Sequence, residues 1–305
     1  MGRIFSTILL ICLFQPLSAQ YQIGLIPRVS PDRSVSQKIG FTEVTIKYGS
    51  PAVKNRQIMG ELVAYDQVWR AGANDATTIT FSRPVIINNS SLDSGRYAFF
   101  IVPRANKKWT AIFNKMDQQW GAFRYNQAED ALRIDLLPRR TNDHFENLTY
   151  SLGQLGFEFG SILLNWGTVE LEIPFETHYV EEFKNSIEAR AEQQPDHLKW
   201  VVYVQGAEHL EQIKSDLETA KKWIHQAETL MNSSTEWNKQ FYPKDYIIGH
   251  LKWIKAQLLV NEERYSEAIS LVEELKQLSN PLFYHRKKEA ERIDEVLKVW
   301  KAEKN

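Results

Sequence analysis

Cysteine is almost missing. Cys12 is the only one in 305 residues, so no disulfide within the chain can brace the fold, and stability has to come from buried cores. Long apolar runs are missing too. The stretch from Ile4 to Phe14 is about 11 residues, whereas a spanning helix needs about 20, so no retained transmembrane anchor is expected. Nor is there an excess of charge of one sign. The 37 Lys and Arg against 38 Asp and Glu leave a formal net charge of −1, which excludes a global electrostatic footprint for nucleic acid or anionic membrane. Catalytic signatures are absent as well: there is no nucleophile elbow, no P-loop and no dinucleotide fingerprint. Gly153, Gly156 and Gly160 have the wrong spacing and no helix after them. Six of the seven histidines are scattered over the second half without i, i+4 pairing, so neither a metal site nor a cofactor is expected.

What is present begins with an address. Arg3, the apolar run, Pro16 and the small residues Ser18 and Ala19 before Gln20 read as a secretory signal peptide, residues 1–19, cleaved after Ala19. The stretch before Cys12 is too short to make it a lipoprotein cysteine, and processing would remove it. The chain is therefore expected to be exported, to the periplasm or the cell surface.

Glycine divides the remainder. Eleven of the fourteen glycines lie between Gly24 and Gly167, and only Gly206 and Gly249 follow, so tight turns are dense in one half and rare in the other. Before the switch near Pro174 to His178, apolar residues alternate with polar ones. Val44, Ile46 and Tyr48, then Leu132, Ile134 and Leu136, then Val169, Leu171 and Ile173 each predict a strand with one buried face. With further runs at 77–81, 85–88, 97–102, 109–113, 148–152 and 162–166, about nine or ten short strands predict an antiparallel sandwich or barrel over residues 20–176. Pro51 to Tyr65 breaks the pattern and reads as a long ordered loop with room for a helical turn. After the switch the period becomes 3.6. Leu217, Ala220, Ile224, Ala227 and Met231 form one stripe behind a capping box of Ser215 and Glu218. Ile247 to Leu258 follow Asp245 as an N-cap, and Ala290 to Trp300 follow Asn280 and Pro281. Six helices are predicted over residues 177–305, packed as hairpins because each has a single apolar face. The overall class is therefore α+β with two domains.

Two resemblances refine this. Trp253 to Val260, a short polar turn and Tyr265-Ser266-Glu267-Ala268-Ile269 resemble one tetratricopeptide unit, with the small Ala268 where two helices approach. Val68-Trp69-Arg70-Ala71-Gly72-Ala73-Asn74-Asp75-Ala76-Thr77 resembles the hallmark of an exported bacterial family, domain of unknown function 2911. The likeness extends to Ser30-Pro31, to Pro51 through Arg56 to Gly60, to Gly95-Arg96-Tyr97 ending at Pro103, to Trp109 through Asn114, and to Trp120-Gly121. It covers about residues 28–174, and Ala64 stands where that family often has proline. The resemblance implies export and supplies no reaction.

The Trp69 to Thr77 segment holds an indole, a guanidinium, an amide and a carboxylate between turn signals. Such a set suits stacking and bidentate hydrogen bonding to a sugar or carboxylate. A purely structural role is the competing reading, with Arg70 paired to Asp75 or Glu146, Asn74 in a positive-φ turn and Trp69 plugging one end of the sandwich. The candidate site residues are Trp69, Arg70, Asn74, Asp75, Arg56, Glu146 and His144. The leading functional expectation is a non-enzymatic binding module for a glycan or small polar ligand, with a protein partner docked on the helices. A hydrolase using Asp75 with Glu146 or His144 as acid and base is one alternative. A helical-repeat scaffold is another.

Overall fold

Ten strands come first, in two open antiparallel sheets. A computed structural model describes residues 27–233, 244–278 and 287–304; the expected signal peptide, Asn280 and Pro281 lie outside them. The strands are β1 (Asp32–Ile39), β2 (Thr42–Gly49), β3 (Ala73–Phe81), β4 (Val85–Ile87), β5 (Ser90–Leu92), β6 (Gly95–Val102), β7 (Trp109–Asn114), β8 (Asp130–Leu136), β9 (Arg139–Leu155) and β10 (Phe159–Thr177). One sheet has the order β1-β2-β3-β6-β7-β8 and the other β5-β4-β10-β9. Both have free edges, so the barrel alternative is corrected to a sandwich.

The alternation predicted from sequence sets what faces the core. Val44, Ile46 and Tyr48 of β2, Ile79 and Phe81 of β3, Phe99 and Ile101 of β6 and Trp109, Ala111 and Phe113 of β7 meet Leu148, Tyr150, Ile162, Leu164, Trp166, Leu171 and Ile173 in one cluster. β6 and β7 are buried on their other face as well. There Ala98, Phe100, Val102 and Ile112 form a second layer, covered by Val68, Ala122 and Tyr125. β10 merges the two separately predicted runs at 162–166 and 169–173 into one 19-residue strand. Register shifts around Asn165, Gly167 and Val169 bend it against β9, and Gly167 takes a φ of 61° there, a conformation that favours glycine. At Glu176 and Thr177 the same strand pairs with β4.

The residues from Pro51 to Gly72 form no helix, and apolar anchors hold them on the sandwich. Val53, Ile58 and Val63 are buried in the main core. Backbone bonds from Val53 N to Glu146 O (2.7 Å) and from Leu148 N to Pro51 O (2.9 Å) lay the start of this segment along β9, and Trp69 exchanges backbone bonds with Ile101 at 2.8 and 2.9 Å.

Six α-helices follow among the described residues, α1 (Tyr179–Glu192), α2 (Asp196–Gln212), α3 (Leu217–Ser233), α4 (Lys244–Val260), α5 (Tyr265–Lys276) and α6 (Lys287–Glu303). The described members of the predicted stripes pack in two clusters, one shared by α1 to α4 and one by α4 to α6. One cap differs from expectation. The start of α3 is capped by Asp216, whose carboxylate accepts from Thr219 N (3.2 Å) and Thr219 Oγ1 (2.8 Å). The cap is thus Asp216, one residue on from the expected Ser215, because α3 starts at Leu217 and the Asp216 carboxylate reaches the third helical N–H. Asp245 falls within the bounds of α4, and the residues just before that helix lie outside the described ones. Among the described residues no helix is long and apolar enough to cross a membrane.

Only His178 separates β10 from α1. Tyr179 at that junction stacks on Phe157 and Phe183, with ring centroids 4.9 and 5.9 Å apart, and its hydroxyl lies 2.6 Å from His209 Nε2. Arg83 reaches across to Glu182 at 2.7 Å.

Candidate functional site

Close approach of β2 and β3 shapes the ground on which the site stands. At Gly49 a Cβ would lie 2.2 Å from the Ala73 carbonyl oxygen, so no side chain fits there. The register shifts between Lys47 and Gly49, where the Trp69 to Gly72 bend leads into β3. The bend is fastened from inside. Ala71, at a φ of 50°, has a carbonyl that accepts from Thr77 Oγ1 (3.0 Å) and from the buried Tyr150 hydroxyl (2.8 Å). Burial pushes the Tyr150 phenol well above its ordinary pKa, so it stays a neutral donor. Trp69 is 9% exposed, lies near-parallel to Trp166 with centroids 5.8 Å apart, and donates its indole N–H to Gly72 O at 3.2 Å. Trp69 therefore plugs the sandwich end, as the structural reading expected.

Arg70 does not behave as that reading required. Among the described residues no carboxylate pairs with it. Its half-buried guanidinium has an Nε without any hydrogen-bond partner, and burial lowers its pKa. Asp75 instead binds Arg28 at 2.9 Å, which also holds Asp32 at 3.1 Å and lies over the Trp120 ring. Glu146 accepts from Lys54 N at 2.9 Å and lies 3.5 Å from His144 Nε2; the Lys54 N–H is the largest cause holding its pKa below the usual carboxylate range. The expected pairing failed for a local reason. Asn74 sits at a φ of 63°, donating its side-chain N–H to Ser30 O at 2.9 Å. That turn separates the two side chains, and the Asp75 backbone bridges to Trp120.

Arg70 and Trp69 line a cavity of about 280 Å³ together with Lys54, Arg56 and Trp166, between the Pro51 segment and the Trp69 bend. No Asp or Glu lines it. Lys54 and Asn55 take φ values of 48° and 55°, a strained pair for non-glycine residues. The tight turn brings Arg56 back onto its own loop, where Nε donates to Val53 O at 3.0 Å and Nη2 to Ala52 O at 2.6 Å. Among the described residues, three of the five guanidinium N–H groups have no protein partner, on a side chain fixed by the other two. Trp166, 2% exposed, also has an indole N–H without an acceptor.

Arg56 and Trp166 also line a second cavity of about 610 Å³, which His144 reaches. Of the residues singled out from sequence, Trp69, Arg70 and Arg56 meet at the first cavity, and Arg56 and His144 at the second. Asn74, Asp75 and Glu146 line neither. The acid–base pairing of Asp75 with Glu146 or His144 is not assembled, since the Asp75 carboxylate is taken by Arg28. Lys54 at the first cavity and Arg104, Lys107, Arg139 and Arg140 at the second stand outside the candidate set read from sequence. No local signal marks the last four, because two separated segments, 104–107 and 139–140, bring them together.

Residues 30–175 match the model of a family described as protein of unknown function (DUF2911). The matched span coincides with the sandwich and stops before the helices. No curated protein and no solved structure matches the chain.

Proposed function

We propose that the sandwich is a non-enzymatic binding module that holds a small anionic ligand, such as a uronate or another carboxylate-bearing molecule, in the cavity lined by Arg70. One observation carries this reading: Arg70, whose guanidinium has no carboxylate partner among the described residues, lines with Lys54 and Arg56 a concavity without a carboxylate. An oxyanion there meets cations on more than one wall, and charge-assisted hydrogen bonds are about twice as strong as neutral ones. The left-handed residues Lys54, Asn55 and Ala71 add support, since strain of this kind collects at ligand clamps. Calorimetric titration of the full chain with acetate, glucuronate and sulfate tests it. At least one should bind with unit stoichiometry and lose at least tenfold in affinity in Arg70→Ala. Binding of none of them, or equal binding by the variant, overturns the reading.

On the same reading the protein works outside the cytoplasm, in the periplasm or at the cell surface, as the signal-peptide pattern of residues 1–19 indicates. Mass spectrometry of the mature N-terminus from the native host should find Gln20 first; retention of Met1 or Gly2 refutes export. Residues 177–305 form the second domain, a tetratricopeptide-like platform for a protein partner, supported by the fully buried Ala268 between α4 and α5. The hydrolase alternative has less support, because the His144 and Glu146 side chains are both about half exposed and Asp75 is occupied elsewhere.

A further inference from the structure

The larger cavity lies between the Arg56 loop, the turn at Arg104 to Trp109, the start of β9 and the β10 bend. Its walls carry Arg56, Arg104, Lys107, Arg139 and Arg140 with His144, and no Asp or Glu. Neighbouring carboxylates neutralise only part of this set. Arg139 is bridged by Glu170 at 3.0 Å and Glu172 at 2.7 Å. Arg104 donates to Lys108 O and Thr110 Oγ1, and its Nε is 3.8 Å from Asp66. Arg56, Lys107 and Arg140 form no ion pair among the described residues. Like charges around a concavity repel one another, and low-dielectric walls focus their field into it. A multiply charged anion relieves that repulsion at several points at once, which a single carboxylate cannot do. The volume falls within the range typical of small-molecule sites.

We infer that this second cavity binds a multiply charged oxyanion, with Arg56, Lys107 and Arg140 as its direct ligands. Arg56 is the preorganised member, since its own loop carbonyls already fix its plane. Lys107 and Arg140 are exposed and supply charge from the turn before β7 and from the start of β9. The site is distinct from the Arg70 cavity and shares with it only the cation Arg56 and the Trp166 wall. The chemistry fits a short chain of carboxylates or of phosphates equally.

Calorimetric titration of the full chain with trigalacturonate, tripolyphosphate and acetate separates the possibilities. At 50 mM salt one of the two polyanions should bind with unit stoichiometry and at least tenfold tighter than acetate, and which one identifies the source of the charge. Affinity should fall as salt rises to 200 mM. The double variant Lys107→Gln/Arg140→Gln should weaken that binding at least tenfold, while Arg70→Ala changes it less than twofold. Unchanged binding by the double variant overturns the inference, as does failure of both polyanions to bind. Loss of polyanion binding in Arg70→Ala with none in the double variant assigns the ligand to the first cavity and also refutes it. Because the two sets of variants do not overlap, failure here leaves the Arg70 reading standing, and the reverse. Melting temperatures within about 2 °C of wild type verify that these exposed substitutions leave the fold intact.

Discussion

Replacing Arg70 should leave the sandwich nearly as stable as before, and the size of that effect separates two accounts of the same side chain. Were Arg70 half of a buried ion pair, truncation would strand a carboxylate and cost about 3–5 kcal/mol. Its actual surroundings hold no such partner, and its Nε has none of any kind. Arg70→Met keeps most of the apolar stem and deletes the unpartnered donor, whose burial costs about 1–3 kcal/mol. Arg70→Ala also removes methylenes worth about 0.8 kcal/mol each when fully buried, and roughly half that here. These contributions oppose one another in Arg70→Ala and only the gain acts in Arg70→Met, so neither variant should be less stable than wild type by more than about 1 kcal/mol, Arg70→Met being the more stable. Because the chain has two cores, a single melting curve does not isolate the sandwich. Hydrogen exchange of the β3 amides, from Ala73 to Phe81, reads it directly. Protection lower by the equivalent of 3 kcal/mol or more in Arg70→Met would refute the account and restore a buried tie.

The exposed cluster of Arg28, Asp32 and Asp75 should matter little, so Asp75→Asn should shift stability by less than about 1 kcal/mol in the same exchange measurement. Ala268→Trp should destabilise the helices by about 1–3 kcal/mol or more, since Ala268 is fully buried; an unchanged helical melt removes the tetratricopeptide-like reading. Burial holds the folded-state pKa of His209 below its usual 6.5. The unfolded chain therefore binds the proton first, and stability should decline as pH falls below about 6.5 through the folded value. His209→Gln should flatten that part of the pH–stability profile, and an identical slope in wild type and variant argues against it. Residues 20–176 and 177–305 expressed separately should give sheet-type and helix-type circular dichroism respectively; the opposite spectra would refute the division.

Much of the sandwich was legible because its strands are buried on one face. Where both or neither face is buried, alternation fades. β1, with the sequence Asp-Arg-Ser-Val-Ser-Gln-Lys-Ile, is a largely exposed edge strand that carries almost no apolar period, and β5 is three residues long. β10 appeared as two strands because the bend at Gly167 interrupts its pattern. The helical stripes were plain, yet the α3 cap was misplaced by one residue, since Ser215 and Asp216 are both good capping types. At the site, Trp69 and Arg70 could be singled out from composition alone, but the partner of Arg70 could not. Nearness in sequence suggested Asp75, and the left-handed turn at Asn74 turned that carboxylate toward Arg28. The cationic wall of the second cavity is assembled from residues more than eighty positions apart, Arg56 and Arg140 among them, and no single window of sequence contains it.

The passage from β10 into α1 through His178 alone has a mechanical consequence. A flexible linker would absorb tension on the helices by straightening. Here the load enters the sandwich along the axis of a strand that runs through its core, from Thr177 back past Trp166. Force on that line first meets the pairing of Glu176 and Thr177 with β4 and then the open end of the β9–β10 hairpin at Glu170 and Arg139. A pull exerted by anything that grips the helical half is thus carried along one strand to Val169, Gly167 and Trp166, the wall between the two cavities.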